Sequence, residues 1–150
     1  MFLFVTTICY NFYMEYIAVF IGGALGALLR YLVYMPFNSV DFAYVPTFIV
    51  NMLGCFIIGF CAYFFSHRKS VFCKYMRVFF IIGLSGGLTT FSTFALDLFR
   101  FANLGNLFGL IIYLFVSVLL GLCLVSVGIN CAYSFCVYLI KFRKGRKKLC

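Results

Sequence analysis

The stretch GLSGGLTTFSTF, residues 83–94, lies in the middle of the third of four apolar segments. Its glycines weaken a helix and four hydroxyl residues follow them, so the sequence predicts a break near the glycines. Broken backbone in a membrane must be buried in protein or line a wet cavity, because lipid offers no hydrogen bonds. Half-helices at a break offer carbonyls to a cation and N–H groups to an anion. An ion site is one interpretation; a glycine kink with back-bonded hydroxyls is the other.

The composition is that of an integral membrane protein. Of 150 residues, 66% are hydrophobic and 10% are charged, whereas about a quarter are charged in soluble domains. About 20 residues cross the hydrocarbon core, and the apolar segments lie at 16–35, 44–65, 78–101 and 107–127. We therefore expect an all-α fold with four transmembrane helices, the third of them broken, in a domain covering 16–127. Residues 1–15 are expected to form an N-terminal extension, and 128–150 an apolar extension with a basic tail.

The basic residues form two clusters beside the apolar segments. One lies in the predicted loop Ser66 to Arg77, and the other in the tail from Lys141 to Lys148. Because cytoplasmic loops are rich in Lys and Arg, both clusters predict the cytoplasmic side, with the N-terminus on that side too. Anionic lipid explains these clusters better than nucleic acid does. Residues 128–140 are too few for a fifth crossing, so we expect a continued fourth helix or an interfacial helix.

Candidates for catalysis or side-chain metal binding are few. The eight cysteines contain no CxxC pair, and the one histidine, His67, lies in the basic loop. The sequence therefore predicts neither a zinc site nor an enzyme. Glu15 lies at the boundary of a segment, and Asp97 precedes Arg100 by three residues, which predicts an ion pair at the membrane interface. With no carboxylate expected at mid-span, a proton-coupled exporter is disfavoured.

Two phenylalanines follow the glycines of the third segment. Phe91 and Phe94 are three residues apart, so on a helix they project from similar faces, with Ser92 and Thr93 between them. The positive edges of two rings could stabilise a small anion weakly enough for it to leave again. Lipid-facing or packing rings are the alternative, since the chain has 22 phenylalanines.

Polar side chains inside the other segments are costly and seldom idle. Asn51 can donate to an anion or form an interhelical hydrogen bond. Arg30 can anchor its helix end or attract anions to a pore mouth. Tyr113 and Ser117 are one turn apart, which suits a polar track as well as simple packing.

Glycines also recur at four-residue spacing, as Gly22 with Gly26 and Gly83 with Gly87. Such pairs let two helix backbones approach closely. We expect most of them to mark helix packing.

Together these residues resemble the fluoride-channel family called Fluc or CrcB. The resemblance runs from about Tyr16 to Val127 and rests on GGALGALLRY at 22–31, PTFIVNMLGCFIIG at 46–59, GLSGGLTTFSTFALD at 83–97 and the stripe of Tyr113 and Ser117. It implies a multi-pass channel of the cell (inner) membrane that passively exports cytoplasmic fluoride and so lowers its toxicity. It also implies an antiparallel, dual-topology dimer with two narrow pores.

The resemblance further implies roles for single residues. Gly86 and Thr89 would give backbone carbonyls to a structural sodium ion at the dimer centre. Arg30 would lie near a vestibule or make a structural contact. The fluoride pathway would consist of the following side chains: Asn51, Phe91, Ser92, Thr93, Phe94, Tyr113 and Ser117.

The chain also departs from the family pattern. Members of the family often have too little charge bias to favour one membrane orientation, whereas the basic residues here favour one. A heterodimer with an oppositely oriented paralogue is therefore a second hypothesis, in addition to the homodimer. Position 121 is Gly, where a further hydroxyl would continue the track. Two alternatives are a small multidrug-resistance-like exporter, for which Glu15 lies at the wrong depth, and a non-conducting assembly subunit, which leaves the broken segment unexplained.

Overall fold

The computed structural model describes residues 2–37, 44–66 and 70–147, and side chains within 13–37, 44–66 and 70–142. Its elements are α1 (Phe2–Tyr34), α2 (Tyr44–Ser66), α3 (Val71–Arg77), a π-helical segment (Val78–Leu84), α4 (Ser85–Leu88), α5 (Phe91–Asn103) and α6 (Leu107–Lys147). Four stretches are long and apolar enough to cross a membrane: Tyr13–Tyr34, Tyr44–Ser66, Val71–Asn103 and Leu107–Phe142. The predicted all-α, four-span membrane fold is confirmed.

The third span, Val71–Asn103, begins earlier than predicted and breaks within the predicted stretch of glycines and threonines. It begins at Val71, inside the stretch predicted as a loop, because α3 runs directly into the π-helical segment and α4. His67, Arg68 and Lys69 lie outside the described residues. The break falls at Thr89 and Thr90, whose backbones are extended with ψ of 158° and 118°, and the glycines before it remain helical.

The glycines stay helical because they form the contact between α1 and the third span. A Cβ built at Gly83 would lie 3.0 Å from the Cα of Gly22, and one at Gly87 would collide with the carbonyl of Gly23. A Cβ at Gly26 would likewise meet the backbone of the third span. The prediction that these spacings mark helix packing is confirmed.

An ion pair joins α1 to α3 at the end of the bundle that the charges predict to be cytoplasmic. The Lys74 ammonium contacts the Glu15 carboxylate. Glu15 therefore lies at the boundary of the first span, as expected, and it neutralises one of the basic residues of the adjoining segment.

α2 and α6 pack side by side and run in the same direction. Tyr44 packs on Tyr113 near their first residues, with ring centroids 5.8 Å apart, and Tyr63 packs on Tyr133 further along, at 6.0 Å. This parallel arrangement is what four crossings require of the second and fourth spans. α6 continues unbroken past Gly128, so residues 128–140 continue the fourth helix, one of the two predicted possibilities.

We expect Gly59→Ala to destabilise this helix pair, because the added Cβ would collide with the Val125 carbonyl of α6. Overpacking of this kind costs about 1–3 kcal/mol. The matched control is Gly121→Ala in the same interface, where the nearest atom is the movable Cys55 Sγ at 3.3 Å. Thermal unfolding in detergent, followed by circular dichroism, should show a clear loss of stability only for Gly59→Ala; equal midpoints would contradict this packing.

Candidate ion site at the break of the third span

Threonine side chains shape the break between α4 and α5. Both the amide and the Oγ1 hydroxyl of Thr89 donate to the Ser85 carbonyl, each at 2.9 Å, which closes α4. Thr90 is the N-cap of α5, since its Oγ1 accepts from the Thr93 amide at 3.2 Å. Threonine favours extended backbone and bonds readily to nearby backbone groups, so two adjacent threonines stop one helix and start another.

Asn51 of α2 pairs with both backbone groups of Thr90. Its Nδ2 donates to the Thr90 carbonyl at 3.2 Å, and its Oδ1 accepts from the Thr90 amide at 2.9 Å. Thr90 is buried, so without this partner the two groups would be unpaired in an apolar setting. The structure thus shows the interhelical bond predicted as one role for Asn51. The pair uses one of the two N–H groups of the amide, which leaves the other for a further acceptor.

Two backbone carbonyls at the break have lost their usual helical donors. In a continuous helix the Gly86 carbonyl accepts from the amide of residue 90, and the Thr89 carbonyl from that of residue 93. Here the Thr90 amide donates to Asn51 and the Thr93 amide donates to the Thr90 hydroxyl. The Gly86 and Thr89 oxygens are therefore released from the hydrogen bonding of a continuous helix.

Gly86 and Thr89 differ in their surroundings. Gly86 is exposed, and the described residues leave open space where its Cβ would lie. Arg30 Nη1 donates to the Thr89 carbonyl at 3.4 Å, which places Arg30 in a structural contact. Within the described ranges, no group of three His, Cys, Asp or Glu side chains could hold a metal. Carbonyl oxygens are hard ligands that suit sodium.

The predicted aromatic and hydroxyl residues gather at the start of α5. The Phe91 and Phe94 ring centroids are 6.2 Å apart, and Phe94 lies 5.2 Å from Tyr113 of α6. The hydroxyls of Ser92 and Thr93 lie 3.2 and 3.1 Å from Thr90 Oγ1. Phe94 is half-buried, whereas Phe91 is 81% exposed and faces away from the single chain.

Tyr113 and Ser117 differ in how their hydroxyls are satisfied. The Tyr113 hydroxyl donates to the Tyr44 carbonyl at 3.5 Å. The Ser117 Oγ is buried and has no hydrogen-bond partner among the residues that the structure describes. A buried hydroxyl without a partner is costly and points to a ligand or water beside it.

Asp97 forms the ion pair with Arg100 that its spacing predicts, and its side chain is buried among the helices. Its Oδ1 accepts from Arg100 Nη1 at 3.3 Å, and the residue is 1% exposed. It lies beside Thr47 and Tyr113, and the described part of the chain gives its Oδ2 no hydrogen-bond donor. The sequence spacing indicates this burial. Asp97 follows Phe94 by three residues, so both lie on the face of α5 that is turned toward α6.

Asn51→Ala should destabilise the protein by about 2 kcal/mol or more, because it leaves the amide and carbonyl of Thr90 buried without partners. The matched control is Asn103→Ala at the exposed end of α5, for which we expect a change within about 0.5 kcal/mol. Unfolding in detergent measures both. If the two variants are equally stable, Asn51 does not hold the break.

Comparison with known proteins places these features in a family. The family model described as "CrcB-like protein, Camphor Resistance (CrcB)" matches residues 17–129. A protein of Desulfotalea psychrophila named fluoride-specific ion channel FluC is 40% identical over 125 residues, 81% of this chain and 94% of the relative. Proteins of the same name from Helicobacter pylori and Bacteroides fragilis are each 40% identical, over 77% and 76% of this chain and 90% and 92% of their own lengths.

Proposed function

This chain belongs to the CrcB family, and we propose that it is a fluoride-selective channel that passively exports cytoplasmic fluoride across the cell (inner) membrane. It is a multi-pass membrane protein with a transport function, not an enzyme. The observation that carries the proposal is the break at Thr89 and Thr90. There Asn51 binds the Thr90 backbone, two carbonyls have lost their helical donors, and aromatic and hydroxyl side chains lie close by. The relatives named as fluoride channels match this chain over nearly their whole length.

Such a channel answers a simple acid–base problem. Hydrogen fluoride is a weak acid that enters a cell as the neutral molecule when the surroundings are acidic. It dissociates in the more alkaline cytoplasm, and the charged anion cannot return through lipid. A passive pore lets the trapped anion leave the cell down its electrochemical gradient, so export needs no coupled energy source. This accounts for conduction without a proton-relaying carboxylate at mid-span.

We assign the fluoride pathway to the side chains around the break. Phe91 and Phe94 would present positive ring edges to the anion. The remaining polar groups would replace its water as donors: Asn51, Ser92, Thr93, Tyr113 and Ser117. The 5.2 Å contact of Phe94 with Tyr113 and the unpartnered Ser117 hydroxyl one turn later support this route. Neutral donors hold an anion loosely enough for it to leave, as conduction requires.

We assign a structural sodium ion to the carbonyls of Gly86 and Thr89. Both oxygens have lost their helical donors, and the open space at Gly86 lets a ligand reach them. Bound there, the cation would supply positive charge that completes the backbone bonding of the break. Arg30 already donates to the Thr89 carbonyl, so its guanidinium also stabilises the backbone of the break.

We propose that two chains pair in antiparallel orientation, as a homodimer or with an oppositely oriented paralogue. Phe91 and Gly86 are both exposed in the single chain although they adjoin the break, which a second subunit would cover. The concentration of basic residues on one side favours a single orientation and hence the heterodimer.

Expressed alone and with Cys150 as its one cysteine, the chain should label from one side of the membrane only. Blue-native electrophoresis shows whether it dimerises. Functional dimers labelled from both sides would exclude the heterodimer.

Exchanging sodium for N-methylglucamine should lower the thermal unfolding midpoint of the dimer, because the bound cation is lost. An unchanged midpoint would exclude the sodium ion.

Purified protein in liposomes should release fluoride far faster than empty vesicles do and should not release chloride. Phe91→Ile removes a positive ring edge and should slow fluoride release about tenfold. Fluoride-selective and chloride-selective electrodes measure both fluxes. Equal passage of chloride, or fluoride release no faster than from empty vesicles even with a candidate partner present, would rule out the channel.

A pair of serine variants tests the pathway in the same assay. Ser117→Ala removes the unpartnered buried hydroxyl and should slow fluoride release without loss of stability, because no protein hydrogen bond is broken. Ser126→Ala, on the same helix, removes an exposed hydroxyl that bonds the Leu122 carbonyl at 3.1 Å and should leave the flux unchanged. Equal fluxes in the two variants would place Ser117 outside the pathway.

A further inference from the structure

α6 is much longer than the helix it packs against. Late in α2, Tyr63 packs on Tyr133 of α6 and Phe64 packs on Phe135, and α2 ends at Ser66. α6 continues as a helix to Lys147. At 1.5 Å per residue, the part from 136 to 147, here called the arm, is about 18 Å long. The arm therefore reaches beyond the end of its neighbouring helix, on the side that the charges predict to be cytoplasmic.

The arm changes character along its length. Residues 136–142 carry Tyr138, Ile140 and Phe142, each more than half exposed, and the Tyr138 and Phe142 rings stack with centroids 6.3 Å apart. From position 141 onward the sequence places six basic residues: Lys141, Arg143, Lys144, Arg146, Lys147 and Lys148. No acidic residue follows Asp97 in the chain, so these basic residues have no carboxylate side chain near them in the sequence.

This change from exposed apolar side chains at 138–142 to basic residues from 141 onward matches the layers of a membrane surface. Tyrosine prefers the level where hydrocarbon meets headgroups. With Tyr138 at that level, Lys141 lies about 5 Å and Lys147 about 14 Å further along the helix axis. Headgroup layers are about 5–8 Å thick, and surface charge acts over a further Debye length of about 8 Å. The helical backbone from Lys141 to Lys147 then spans the headgroup layer and the zone of surface charge beyond it.

We propose that the arm is a binding surface for anionic phospholipid headgroups of the adjoining leaflet. Each exposed cation near such a surface adds to the attraction. Lipid fits better than a soluble polyanion, because the rings and Ile140 of the same arm need an apolar environment. The other basic segment is weaker, since Lys74 is neutralised by Glu15. This binding is independent of the proposed ion conduction.

The test measures lipid selectivity of the full chain in phosphatidylcholine vesicles that contain spin-labelled phosphatidylglycerol or spin-labelled phosphatidylcholine. Electron spin resonance gives the ratio of their associations with the protein. We expect a several-fold preference for phosphatidylglycerol that disappears when all six basic residues of the arm and tail are changed to Gln. The matched control changes Arg68, Lys69 and Arg77 to Gln and should keep most of the preference. Fluoride release should be unchanged in both variants.

Two further measurements use the unmodified chain, so they stand even if a variant misfolds. High potassium chloride should abolish the preference, because it screens exposed charge. Inorganic phosphate or a short DNA duplex should displace phosphatidylglycerol only weakly. A salt-insensitive preference, a six-residue variant that keeps it, an equal loss in the control variant, or ready displacement by DNA would each overturn the assignment to lipid.

Discussion

In hydrocarbon, a backbone amide or carbonyl finds no partner except one from the protein, and this constraint governs the break in the third span. One side chain, that of Asn51, provides the hydrogen-bond partners for both backbone groups of Thr90. Asn51 accepts from and donates to the two backbone groups of Thr90 at 2.9 and 3.2 Å. Because the Thr90 amide is thereby withdrawn from the helix, the Gly86 carbonyl becomes available. The Asn51 side-chain amide thus stabilises the break and also leaves the Gly86 carbonyl without its helical donor.

The glycine contacts determine where this break lies. Gly22 and Gly83, together with Gly23 and Gly87, bring the backbones of α1 and the third span into direct contact. Side chains could not fit there, so the first half of the third span is held rigidly against α1 up to Leu88. The chain can change direction only after that contact ends. Its next residues, Thr89 and Thr90, meet Arg30 of α1 and Asn51 of α2, respectively.

The pairing of α2 with α6 serves a second purpose. It brings Tyr113 beside α5, where Phe94 and Asp97 lie on the facing side, with Ser117 one turn further along α6. The same helix then extends past the bundle as the basic arm. One continuous α6 thus connects the proposed fluoride route, near its beginning, with the proposed lipid surface at its end. The two functions are separated by some 20 residues, about 30 Å of helix, and are testable independently.

The sequence by itself determined that the protein lies in a membrane and how many spans it has, and it predicted the candidate site residues, because apolar length and polar residues within apolar segments are local properties. It also predicted that the third span breaks in the stretch of glycines and threonines, but not that the glycines stay helical or that the Asp97 side chain is buried. These features depend on contacts between distant segments: glycines that touch α1, an amide of α2 that replaces a helical partner, and a carboxylate enclosed beside Thr47 and Tyr113. Only the tertiary structure decided these, because the partner of each backbone group in a membrane depends on which helix lies next to it.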